Sequence, residues 1–164
     1  MAEAVKDCTL ITLSEEDLRS MGMDEVLIQS HGIYIKDATN ITSYYENSLT
    51  FDYKKLGKKF DLIFIDGDHS YNGVVTDTRN VFDLLKDDNS IIVWHDYGNH
   101  VEDVRHEVLA AILDGIPEKY HKHLYHVSNT MCAVFIKGDF KTYMAQAATF
   151  PNKVFKVEVS ATRL

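Results

Sequence analysis

The chain has 164 residues, 45% of them hydrophobic and 26% charged, with a formal net charge of -8. That is the length of one domain with enough apolar material for a core, and its scattered Lys and Arg argue against nucleic-acid or anionic-membrane partners. Cys8 and Cys132 have no metal-type spacing and make no disulfide framework, and no signal-peptide pattern or membrane-length apolar run is present, so a cytoplasmic location is expected.

With two prolines and no repeat or linker, residues 1–164 read as a single domain. "CTLITL" (8–13) predicts a short buried strand, and Ser14 with Asp17 an N-cap ahead of "EEDLRSM", closed by Gly22. "GIYIKDA" (32–38) predicts a second strand, while 40–59 reads as mixed loop and short helix. "FDLIFI" (60–65) is expected to be a strand covered on both faces. Val74, Thr78, Val81, Phe82 and Leu85 then recur at helical spacing, with Asp77, Arg79 and Lys86 assigned to the wet face. "NSIIVW" (89–94) is another buried strand, and Asn99 with Glu102 resembles a capped start to a helix carrying Val101, Val104, Val108 and Ile112. "HLYHV" and "MCAVFIK" form a hairpin, 140–148 a short helix, and "KVFKVEVS" (153–160) a final strand. Alternating strands and helices with a terminal hairpin predict an open α/β sheet, mainly parallel, in which ligands bind beyond the carboxyl ends of the strands.

Two of those ends carry the same chemistry. "FIDGDHSY" delivers Asp66, Asp68, His69 and Tyr71, and "VWHDYGNH" delivers His95, Asp96, Tyr97, Asn99 and His100. If the two strands are neighbours, about 4.8 Å apart, Asp66 and Asp96 can face one volume, as a hard divalent cation such as Mg²⁺ requires. A nearby His would then accept a proton from a substrate hydroxyl. Against this, Asp-Gly is turn chemistry, exposed loop histidines are common, and Asp37 in "YIKDATN" reads equally as a ligand contact or a cap. Trp94 reads as core packing.

At "IDGDHSY" (65–71) and "HDYG" (95–98) the chain resembles the class I S-adenosylmethionine-dependent methyltransferases, in particular a bacterial branch related to metal-dependent O-methyltransferases. The resemblance implies a Rossmann-like sheet, S-adenosylmethionine as cofactor and Mg²⁺ held by Asp66 and Asp96. It also implies Asp66, His69 and His95 in catalytic roles, with Asp37, Ala38, Asp66, Gly67 and His69 at the cofactor. His95 stands where the sugar O-methyltransferases of that family tend to carry another Asp. The family's opening strand and glycine-rich turn have no counterpart, and Thr12 or its neighbours replace the expected ribose-binding acid, with Glu15 and Glu16 slightly late. The sheet is therefore expected to be N-terminally truncated, with a gap between the strands at 8–13 and 60–65 that closes up or is filled by a second copy.

The leading expectation is O-methylation of a small molecule or sugar, in a chain whose activity the missing turn would compromise. The alternatives are a non-catalytic methyltransferase-fold domain acting through oligomerisation or a partner, and a metal-dependent phosphoesterase suggested by "GDH" and "GNH". The phosphoesterase reading lacks most of the ligands that a dinuclear centre needs.

Overall fold

Residues 5–143 and Lys156 are described by a computed structural model. The apolar, β-branched run CTLIT forms β1 (Cys8–Thr12). Ser14 then starts α1 (Glu15–Ser20) with a reciprocal capping box. Its hydroxyl accepts from the Asp17 amide while the Asp17 carboxylate accepts from the Ser14 amide, each at 3.1 Å. Asp24 caps α2 (Glu25–Ser30) by accepting from the Val26 amide.

The expected strand at 32–38 does not form. The chain there makes consecutive turns, with the amides of Ile33, Ile35 and Ala38 each donating three residues back and Gly32 at φ 76°. Ile33 and Tyr34 are exposed, so nothing rewards the alternation that suggested a strand. The strand lies instead at β2 (Ile41–Tyr45), within the stretch read as mixed loop and helix, and pairs in parallel with β1, Cys8 opposite Ile41 and Thr12 opposite Tyr45. The rest of that stretch includes a 3₁₀ turn, Tyr53–Leu56.

β3 (Leu62–Ile65) and β4 (Ile91–Trp94) pair in parallel. The hairpin of β7 (Leu124–His126) and β8 (Ala133–Phe135) adds antiparallel strands to the other edge of β4, giving the order β3-β4-β8-β7. α3 (Tyr71–Phe82) and α4 (His106–Gly115) pack against each other and against one face of this sheet. A Cβ on Gly115 would lie 2.6 Å from the Thr78 Cβ, so the two helices approach this closely only because residue 115 has none. Between sheet and helices lie Val74, Val81, Ile92, Trp94, Ile112 and Phe135, all buried. Trp94 donates its indole N–H to Thr78 Oγ1 at 2.9 Å, so burial leaves its polar edge satisfied.

The helix expected to begin at Asn99 begins later. Residues 98–104 form a small antiparallel hairpin, β5 (Gly98–His100) and β6 (Asp103–Val104). Glu102 adopts φ 62° and does not close a capping box. Its carboxylate accepts from the Asn129 amide at 2.7 Å and contacts His126 Nε2 at 3.0 Å, which straps this hairpin to the β7–β8 turn.

β3 is covered on one face only. Ile63 and Ile65 reach the core, while Leu62 and Phe64 are 45% and 42% exposed, contrary to the expected two-sided cover. Among the described residues β1 pairs only with β2 and β3 only with β4, so each has one edge without a strand partner. An ion pair from Lys58 to Asp7, 2.7 Å, links the entry of β3 to that of β1. Residues 140–143 carry no regular structure, and apart from these and Lys156 the helix and strand expected at 140–148 and 153–160 lie outside the described residues. No helix among the described residues is long and apolar enough to cross a membrane.

Candidate functional site

The parallel register of β3 and β4 sets Ile65 beside Trp94, and the His95 amide donates to the Ile65 carbonyl at 2.9 Å. Asp66 and His95 therefore leave the sheet side by side. Asp96 follows at φ 52°, a conformation that Asp tolerates better than most residues. His95 Nδ1 lies 3.1 Å from Asp66 Oδ1 and 3.2 Å from Asp96 Oδ2, and His69 Nε2 lies 2.9 Å from the same Asp96 oxygen. Four of the residues singled out in the sequence thus converge on one partly open volume.

Neither imidazole nitrogen makes a hydrogen bond there, although both are buried as atoms and lie at ion-pair distance from carboxylate oxygens. Distance alone is met and angle is not. One donor atom from each of Asp66, His95 and Asp96 lies within 4.8 Å of the others, a spacing at which the three could share a cation. Two carboxylates and an imidazole that lacks a bonding partner are chemically suited to a divalent ion. A dinuclear centre would need more ligands than these three.

The surroundings hold this arrangement in place. Tyr97 is buried beside Asp96, its ring 5.8 Å from that of His126, and burial pushes its hydroxyl pKa upward. The Tyr97 carbonyl accepts from the Arg105 amide, and the Gly98 amide donates to the Met131 carbonyl. Glu102 sits below the usual carboxylate range because the Asn129 amide, and then His126, favour its charged form. His100 and Val101 are exposed on this hairpin.

The Asp66 loop is tied down by two acids with different tasks. Asp68 folds back to accept from the Ser70 hydroxyl and amide, contacts that lower its pKa, and so takes part in the turn leading into α3. Asp77, assigned to the wet face of α3, is only 5% exposed. It hydrogen-bonds Ser48, and burial raises its pKa. A Cβ on Gly67 would stand 3.2 Å from Asp77 Oδ2, which places this buried carboxyl directly against the loop.

Asp37 and Ala38 are not where the sequence reading set them. They precede β2, with Asp37 exposed, because no strand ends there. The carboxyl end of β2 instead leads to Glu46, Asn47 and Ser48, which the sequence reading passed over. The signal was the run ITSYY, rich in β-branched and aromatic residues. An open groove of about 810 Å³ lined by Lys54, Lys58, Lys59 and Arg79 holds none of the site residues.

The profile of a family described as a methyltransferase domain matches residues 1–97. The chain belongs to this family. The match runs through β1, β2, β3, α3 and β4 and ends just after Asp96, so this methyltransferase domain carries the whole His/Asp cluster within the matched span. No curated protein matches the chain. Methyltransferase domains as a class use S-adenosylmethionine, and mixed parallel and antiparallel pairing is compatible with such a fold.

Proposed function

We propose that the chain is an S-adenosylmethionine-dependent O-methyltransferase domain for a small molecule or sugar, assisted by a divalent cation. The observation that carries the reading is the convergence of Asp66, His69, His95 and Asp96 beyond the carboxyl ends of β3 and β4, in a chain of the methyltransferase-domain family. The cluster lies where an open α/β sheet leaves a ligand crevice.

S-adenosylmethionine supplies an electrophilic methyl group on a sulfonium sulfur. A divalent cation held by Asp66 and Asp96 would make a nearby acceptor hydroxyl more acidic. With the methyl donor bound, transfer of its methyl group to the acceptor oxygen would leave the electron pair on sulfur, and an imidazole of the cluster would take the hydroxyl proton. His69 Nε2 and His95 Nδ1 are the nitrogens in reach of the cluster, 2.9 and 3.2 Å from Asp96 Oδ2. The protein's main contribution is alignment of donor and acceptor. Gly67 and His69 would line the cofactor, with Glu46–Ser48, at the carboxyl end of β2, beside them.

Fold-level support comes from strand order. Among the described residues the sheets β1-β2 and β3-β4-β8-β7 mix parallel and antiparallel pairs, which is compatible with a methyltransferase fold, and β1 and β3 each keep one edge without a strand partner. The same edges, with Leu62 and Phe64 exposed, favour a second reading: a methyltransferase-fold domain acting through self-association, without catalysis. Incubation with methyl-labelled S-adenosylmethionine and a panel of sugars, catechols and other hydroxylated acceptors separates the two. Label transfer that disappears in Asp96→Ala supports the enzyme. No transfer to any acceptor, from folded protein with added Mg²⁺ or Mn²⁺, supports the non-catalytic domain.

A further inference from the structure

We propose that the ion selected by this site is a borderline transition-metal ion of the Mn²⁺, Fe²⁺, Co²⁺ or Zn²⁺ type rather than Mg²⁺, with His95 Nδ1 ligating beside one oxygen each from Asp66 and Asp96. The inference rests on the metal-assisted reading above and deepens it by naming the class of ion and the role of His95.

Three observations carry it. First, His95 Nδ1 stands 3.1 and 3.2 Å from the two carboxylate oxygens. That is close to the separation of two donors that share an ion about 2.1 Å from each. Second, the nitrogen, on a side chain 34% exposed, is itself inaccessible to solvent and makes no hydrogen bond, although both carboxylates stand at ion-pair distance from it. A shared ion satisfies the nitrogen and both oxygens together. Third, the donor types decide among ions. Mg²⁺ favours an all-oxygen shell that keeps several waters, whereas imidazole suits the later first-row ions. Two carboxylates and a neutral imidazole also offer one negative charge fewer than three carboxylates would, which weakens the hold on a hard ion most.

His69 then has a different task. Its Nε2 approaches Asp96 Oδ2 at 2.9 Å without a hydrogen bond and lies outside the three-residue donor group, so it is the imidazole left to accept the acceptor's proton. His95, being a ligand, is not the base.

The test uses the full chain, stripped of metal with a chelator and shown by circular dichroism to remain folded. Titration with Co²⁺ is followed by the visible d–d bands, with Mn²⁺, Zn²⁺ and Mg²⁺ as competitors. One Co²⁺ per chain is expected, displaced by Mn²⁺ or Zn²⁺ at comparable concentrations and by Mg²⁺ only at a 100-fold or greater excess. His95→Ala should weaken Co²⁺ binding about 10- to 100-fold, and His95→Asp should shift the preference toward Mg²⁺. Because either variant could misfold, pulsed EPR of Mn²⁺ or Cu²⁺ on the unaltered chain gives an independent reading, and nitrogen coupling from one imidazole is expected. Absence of that coupling, or Mg²⁺ competing as well as Co²⁺, overturns the proposal. S-adenosylmethionine binding that persists without selective metal binding would refute this inference alone. Selective metal binding without any S-adenosylmethionine binding would refute the methyltransferase reading and leave the metal site standing.

Discussion

Asp77 shows how far a residue's surroundings can reverse its apparent role. Its position among Arg79 and other polar residues marks the wet side of α3, yet it is buried, bonded to Ser48 and pressed against Gly67, with Oδ1 lacking a partner. No local pattern encodes Ser48 arriving from β2, so the sequence could not reveal it. Burial raises the Asp77 pKa, so the folded state favours the protonated form. The stability that Asp77 allows is complete below the ordinary pKa of 3.8 and declines as pH rises through the elevated folded value. Asp77→Asn should therefore be more stable than the parent at neutral pH, by about 1–3 kcal/mol. The gain should shrink as pH falls toward 4, and urea unfolding at a series of pH values reads the difference directly. Asp66, His95 and Asp96, by contrast, were legible in the sequence because they lie within two residues of the end of a strand whose apolar run is plain.

At the scale of elements, β1, α1, β3, α3, β4 and the β7–β8 hairpin follow from periodicity and caps, because each rewards its own local pattern with burial or backbone bonds. Two expected elements, the strand at 32–38 and the helix start at Asn99, do not form. GIYIKDA alternates as well as ITSYY does, but only ITSYY finds a partner strand, and that choice is made by tertiary contact with β1. Asn99 and Glu102 imitate a helix start, whereas Glu102 serves the contact between β5–β6 and the β7–β8 turn. This contact predicts that Glu102→Gln costs about 1 kcal/mol at neutral pH. Because the folded pKa of Glu102 is depressed, that contribution is present above its ordinary 4.5 and is lost as pH falls through the folded value. Thermal unfolding at pH 7 and pH 3 should show a larger deficit of the variant at the higher pH. In the core, Phe135 meets the rings of Phe82 and Tyr120 at 5.2 and 6.1 Å and is fully buried. Phe135→Ala should cost about 3–5 kcal/mol in chemical denaturation.

At the scale of the whole molecule, the feature that matters most is that, among the described residues, β1 and β3 each have one edge without a strand partner. A strand edge beside exposed Leu62 and Phe64 invites pairing with another chain. The account predicts concentration-dependent self-association in sedimentation velocity, weakened by Leu62→Lys, which puts a charge on the β3 edge. A monomer at all concentrations, unchanged by the substitution, would remove self-association from the account. Sequence alone could not say whether the strands at 8–13 and 60–65 would meet, and among the described residues β1 and β3 do not pair with each other.

The measurement that bears most directly on the account is calorimetric titration of the purified chain with S-adenosylmethionine, with and without divalent cation, beside Asp66→Ala. Saturable binding that the variant loses is the predicted result. A folded chain that releases no heat of binding under either condition would contradict the claim that this site receives the methyl donor.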